Sequence, residues 1–231
     1  MFFDIYYLLF ALPGLILAGI ASWITHSTFN KYSRVAASSG LTGAQAAAQL
    51  LEKAGVRDVR IEPTDGFLSD HYNPADKTLH LSKGVYASNS LSAIGVACHE
   101  AGHAIQHAHA YMWLGLRSAL VPATQFGSSL SYILFVAGAL LNFKPLLIVG
   151  IALFALVVVF SIVTLPVEWD ASSRAKHLMV SAGIVSYREQ ADAAKVLNAA
   201  FLTYVAAAVT ALMQLLYYLW RAGLLGGRRD D

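Results

Sequence analysis

The chain has 231 residues, of which 57% are hydrophobic and only 13% charged, against roughly 45–50% and about 25% in a typical soluble domain. That balance excludes a disordered chain and an ordinary soluble enzyme, and a net charge of +2 gives no electrostatic reason to expect nucleic acid as a partner. The single cysteine, Cys98, excludes an intramolecular disulfide framework and a multi-cysteine metal site.

Four segments are long and apolar enough to cross a hydrocarbon core of roughly 30 Å, which takes about 20 helical residues. They cover residues 5–25, 119–141, 145–165 and 197–220. The first has no Lys or Arg before it and its apolar stretch is too long for a secretory leader, so it is expected to be a retained anchor. Tyr217, Tyr218 and Trp220 fit an aromatic belt at a membrane interface. The expected fold class is therefore a mainly α integral membrane protein in contact with the lipid bilayer. Twelve Lys and Arg fall in the two longer connections, 26–118 and 166–196, and four fall elsewhere. That bias predicts both connections on the cytoplasmic face of the cell (inner) membrane, with both termini outside.

The connection over residues 27–118 is not apolar and reads as a small folded domain. Thr42 suits an N-cap, residues 43–54 are helix formers and Gly55 suits the stop. Short extended runs are predicted at 59–62, about 67–72 and 78–82, the last two joined by turn chemistry at Asn73–Lys77. Leu79 and Leu81 alternate with Thr78, His80 and Ser82, which suits a half-buried strand. Ser88 or Ser90 can then cap a helix over about 91–110.

That helix contains His99-Glu100-Ala101-Gly102-His103. Two histidines four apart on a helix lie about 40° and about 6 Å from one another, close enough to hold one zinc ion at roughly 2.0–2.1 Å each. Glu100 lies about 100° round from His99, beside such an ion rather than on it, where it can take a proton from water. Cys98 is expected to be a small buried residue. His107 and His109 would stand roughly 12 and 15 Å up an unbroken helix from His99, too far to join the same ion. Gln106 occupies the position where a helix-breaking glycine would be needed to swing His109 back.

Catalytic zinc usually takes three protein ligands. Glu168, just after the third apolar segment, can be the third ligand, a solvated acid at a helix start, or a salt-bridge partner of Arg174. Asp170 can accept a hydrogen bond from a ligand histidine or simply be a helix-start acid. Ser186 and Glu189 have capping-box spacing. Tyr187 and His177 are candidates for stabilising an oxyanion or for plain structural roles.

Four stretches together carry a family resemblance: Leu68-Ser69-Asp70-His71-Tyr72-Asn73-Pro74, Leu81-Ser82-Lys83-Gly84-Val85-Tyr86, Gly95 through Gln106, and Leu165-Pro166-Val167-Glu168-Trp169-Asp170-Ala171-Ser172. In these the chain resembles the YugP-like neutral zinc metallopeptidases, a bacterial family of multi-pass membrane proteins. The resemblance implies a zinc peptidase with His99, His103 and Glu168 as ligands and Glu100 as base. Asn73, Trp169 and Cys98 depart from the residues expected for the family, and none of them is a ligand. Ser172 stands where many related peptidases carry an Asp that orients a ligand histidine.

The expectation is thus a membrane-embedded zinc endopeptidase with one Zn²⁺ per chain, acting on a polypeptide that is itself membrane-associated or extended. A small α+β zincin-like domain of the gluzincin type sits between the first two spans. The strand at 78–82 is expected to be the edge that binds substrate, with His80 in contact with it. The alternative is a membrane protein that binds zinc without catalysis, as a sensor or assembly factor.

Overall fold

The computed structural model describes residues 5–66 and 69–225. In chain order the elements are α1 (Ile5–Tyr32), α2 (Gly43–Lys53), β1 (Arg60–Thr64), β2 (His71–Asn73), β3 (Thr78–Ser82), α3 (Lys83–Tyr86), α4 (Leu91–Ala108), α5 (Met112–Leu140), α6 (Lys144–Ser181) and α7 (Tyr187–Arg221). The expected extended run at 67–72 begins on two residues, Phe67 and Leu68, outside the described ones; its remainder overlaps β2. The chain divides into two compact units. One comprises the chain up to Ala21, Leu116–Leu165 and the chain from Thr203 onward; the other comprises Ser22–Gly115 and Pro166–Leu202.

The first unit is made of parts of α1, α5, α6 and α7, four helices long and apolar enough to cross a membrane. Small residues let these helices approach closely, as membrane helices do. A Cβ at Gly150 would lie 2.9 Å from the Phe135 nitrogen and from the Ser131 carbonyl oxygen. Tyr217 and Tyr218 do not form an outward belt. They are 8% and 5% exposed, and Tyr218 stacks on Phe135 at 3.9 Å while Tyr217 meets Tyr7 edge-on at 5.2 Å.

The second unit is built from two separate stretches of chain, not from the 27–118 connection alone. Thr42 caps α2 through a capping box with Gln45, and Gly55 ends it with φ +76°, a conformation glycine adopts at no steric cost. Ala46, Ala47, Leu50 and Leu51 form the buried face of α2. Ser90 caps α4, its Oγ accepting from the Ala93 N–H. The sheet order is β1-β3-β2, with β1 parallel and β2 antiparallel to β3.

This order overturns two expectations about residues 78–82. β3 is the central strand, so it is not an edge and cannot add a substrate strand. Nor is it half-buried: Thr78 and Ser82 are shielded along with Leu79 and Leu81, because neighbours flank β3 on both sides.

α6 also differs from expectation. Residues 166–181 do not begin a separate helix after the third apolar segment, since α6 continues through Pro166 to Ser181. Proline removes one backbone hydrogen bond, but Val167, Ala171, Ala175 and Met179 recur every four residues and each has zero exposed surface. That buried stripe holds the helix together past the proline.

Candidate metal centre

Gly102 decides where α6 can lie. A Cβ there would meet the Ala171 carbonyl oxygen at 2.6 Å, so only glycine allows α4 and α6 to touch at this point. The contact brings Glu168, one turn before Ser172 on α6, onto the two histidines of α4. The Glu168 Oε2 lies 3.2 Å from His99 Nε2 and 3.5 Å from His103 Nε2. The two imidazoles face one another at 4.8 Å and 79°.

These separations fit a single tetrahedral ion. Ligands at about 2.0–2.1 Å from a shared metal stand roughly 3.4 Å apart at tetrahedral angles. Among the described residues, His99, His103 and Glu168 form a His/Cys/Asp/Glu group close enough to hold a metal ion, all three ligand atoms within 4.8 Å of one another. Glu168 is 1% exposed and His103 7%, and two neutral nitrogens with one carboxylate suit zinc.

The side chains that orient the histidines are settled by hydrogen bonds. Gln106 is fully buried. Its Nε2 donates to the Val167 carbonyl and to Asp170 Oδ2, both at 2.8 Å. Both contacts are acceptors, so the amide nitrogen must face them and Oε1 must face His103. The His103 Nδ1, 3.0 Å from that oxygen, is therefore the protonated nitrogen, and Nε2 keeps the lone pair for the metal. Ser172 Oγ lies 3.1 Å from His99 Nδ1, a hydroxyl that can accept from that nitrogen or donate to it. Arg174 Nε holds Asp170 from the far side at 2.6 Å.

Glu100 follows His99 directly on α4 and is not one of the three clustered groups. Its Oε2 accepts the Tyr72 backbone N–H at 3.1 Å, which ties it to edge strand β2. Removal from water pushes its carboxyl above the usual carboxylate range, and the neighbouring Glu168 and Asp70 add to that while His99 and His103 oppose it. Burial alone would depress the His103 imidazole, but the adjoining Glu168 carboxylate holds it above its ordinary value. Burial would likewise raise Glu168, yet the hydrogen bonds of His103 and His99 hold it well below the usual carboxylate range.

Residues 7–223 match the model of a protein family described as "Putative neutral zinc metallopeptidase". The chain belongs to this family. It is also 45% identical over 227 residues, covering 97% of this chain and 100% of the relative, to a Bacillus subtilis (strain 168) protein called "Putative membrane protease YugP". No solved structure gives a significant match. The clustered His99, His103 and Glu168 are thus a candidate metal site in a chain of a zinc metallopeptidase family.

The other residues singled out in the sequence fare differently. Asp170 does not touch a ligand histidine; it acts on His103 through Gln106. His80 lies on central strand β3 and its ring stacks on that of His71 at 4.8 Å. His177 is exposed on α6 and Tyr187, at the start of α7, is 81% exposed; neither is part of the metal-holding group. His107 accepts or donates a 2.9 Å hydrogen bond with the Tyr72 hydroxyl. His109 caps the end of α4, exposed and apart from the ligands. Cys98 is buried, and burial pushes its thiol up. Sequence reading missed Gln106 as a positioning residue. Its signal was a polar residue three after His103, on the same face of a helix packed all round.

Proposed function

We propose that this protein is a zinc-dependent endopeptidase held in the bilayer by α1, α5, α6 and α7, with one zinc per chain on His99, His103 and Glu168. The observation that carries the reading is the pairing of that ligand set with Glu100, an acid beside the cluster but outside it and tied to an open sheet edge. Zinc bound there would supply a Lewis acid that polarises a peptide carbonyl and acidifies water.

The chain's own residues do the rest. In an antiparallel pair, alternate residues point their backbone groups away from the partner strand. Tyr72 is such a residue, since its N–H goes to Glu100 and not to β3. An extended polypeptide laid along this edge of β2 can donate to the carbonyl of Tyr72, whose own N–H is held by Glu100, and brings its carbonyls past Glu100. Glu100 takes a proton from the attacking water and gives it to the departing amine as the C–N bond breaks. Gln106 keeps the His103 imidazole in the tautomer that leaves Nε2 unprotonated, and Ser172 holds the orientation of the His99 ring.

Four crossings put the connection carrying His99 and His103 on the same face as the stretch carrying Glu168. The bias of basic residues supports the cytoplasmic face of the cell membrane, with the termini outside. The test is Glu100→Gln in the full chain. Retained zinc with lost peptide cleavage supports the reading. Retained cleavage overturns the role of Glu100. A zinc-loaded wild-type protein that cleaves no peptide favours a non-catalytic zinc protein instead.

A further inference from the structure

A cavity of about 440 Å³ lies in the second unit, bordered by Phe29, Asp70, Ser82, Lys83, Gly84 and Val85. Its size falls in the roughly 300–1,000 Å³ range of ligand pockets. No part of the mechanism above uses it.

Three features define what it can take. Asp70 puts a partly buried carboxylate in the wall, held by the Ser82 N–H at 2.8 Å and the Ser82 hydroxyl at 3.1 Å. Among the described residues no Lys or Arg forms an ion pair with it. Lys83, the cation that also lines the cavity, is committed to Asp65 at 2.7 Å. Burial therefore raises the Asp70 carboxyl, with the Ser82 hydrogen bonds only partly offsetting it. Phe29 and Val85 supply apolar wall beside this acid. Apolar wall beside a carboxylate that accepts hydrogen bonds from Ser82 but pairs with no Lys or Arg matches a long aliphatic stem that ends in a cation. An acidic side chain would meet like charge, and a purely apolar one would strip water from Asp70 without giving it a partner.

The position is as informative as the chemistry. Asp70 stands two residues before Tyr72, whose N–H contacts Glu100. At about 3.3 Å per extended residue, two residues span roughly 7 Å, the same repeat as alternate side chains of a peptide on that edge.

We propose that this cavity is a specificity subsite for a lysine or arginine side chain of the polypeptide substrate, within two residues of the scissile bond, with Asp70 as the residue that reads its charge. The inference rests on the peptidase reading above.

The test uses zinc-loaded full-length protein in detergent and peptides that differ at one position only, among Lys, Arg, Leu and Glu, on either side of the scissile bond. At one position kcat/KM should favour Lys and Arg over Leu by about tenfold or more, as for a hydrogen bond to a charged group, with Glu poorest. Asp70→Asn should collapse that ratio, and Asp70→Lys should turn it towards Glu. Each ratio compares two substrates on one enzyme, so a change in Glu100 cancels. Gly84→Lys is the second variant. Gly84 lines the cavity and nothing lies within 4 Å of a Cβ built there, so a lysine at its rim displaces neither Asp70 nor Ser82, and its ammonium beside the cavity should also collapse the ratio. Peptides cleaved without a basic preference, or with one that survives both Asp70→Asn and Gly84→Lys, would overturn the subsite alone. A wild-type protein that cleaves none of them overturns the peptidase reading and takes the subsite with it.

Discussion

The Gly102 Cα lies against the Ala171 backbone so tightly that a single methyl group would sit 2.6 Å from the Ala171 oxygen and 3.2 Å from its carbonyl carbon. Neither helix can yield there by turning a side chain, because the obstacle is backbone. The glycine between the two histidines is therefore a condition for Glu168 to reach them.

Gly102→Ala should separate α4 from α6. Overpacking of this kind costs about 1–3 kcal/mol, and the separation should also weaken zinc binding, since Glu168 is carried on the displaced helix. Thermal unfolding and a competitive zinc titration would measure both. A variant with wild-type zinc affinity would show that the ligand set assembles without this contact.

Gln106→Leu removes the acceptor that fixes the His103 tautomer but keeps a side chain of similar length in the buried site. Loss of such a partner typically costs about 10–100-fold in metal affinity. A competition titration should therefore show zinc affinity falling by that factor while the helical circular dichroism is retained. Unchanged affinity would mean that another group orients His103.

The motif of α4 was legible because it is local: two histidines and a glutamate within five residues on one helix need no knowledge of the rest of the fold. Glu168 was legible as an acid set against an aliphatic segment. The buried stripe from Val167 to Met179 was not seen, because Pro166 carries a local stop signal and the partners of that stripe lie far off in the chain. The order of the sheet was equally hidden. β1 pairs with β3 over the intervening β2, and nothing in the alternation of Leu79 and Leu81 tells a central strand from an edge. Ser172 needed the α4–α6 contact before it had an imidazole to face, and Gln106 needed it for the Val167 and Asp170 acceptors that turn its oxygen towards His103.

Glu189 joins the start of α7 to the segment after α1. Its carboxylate accepts from the Ser186 N–H and hydroxyl at 2.8 and 2.7 Å, and from the Ser38 N–H and hydroxyl at 2.7 and 2.8 Å. Burial raises the carboxyl, but these four bonds together outweigh it and hold Glu189 down at about 2 from an ordinary 4.5. A depressed carboxyl contributes stability that is fully present above the unfolded value and is lost as pH falls through the folded one. Glu189→Ala should therefore melt below wild type at neutral pH, and the gap should close as pH drops from about 4.5 towards 2. Melting curves across that window check it, and a gap that stays constant down to the acid end would sink the assignment.

The third ligand is the sharpest remaining choice. α4 runs unbroken past His103 to Ala108 and only then turns, with Ala110 at φ 50°. His109 ends that helix exposed, its Nδ1 3.5 Å from Arg174, while Glu168 lies within 3.5 Å of both ligand nitrogens. Removing a partner of a ligand costs about 10–100-fold in metal affinity, and removing one of three ligands should cost more than that. Glu168→Ala should thus purify largely free of zinc, leaving His99 and His103 without the charge that neutralises the ion. His109→Ala should keep its zinc and its cleavage activity. Elemental analysis of the two purified variants separates the cases. Zinc kept without Glu168 and lost without His109 would require α4 to break after His103, against the hydrogen bonds that carry it to Ala108.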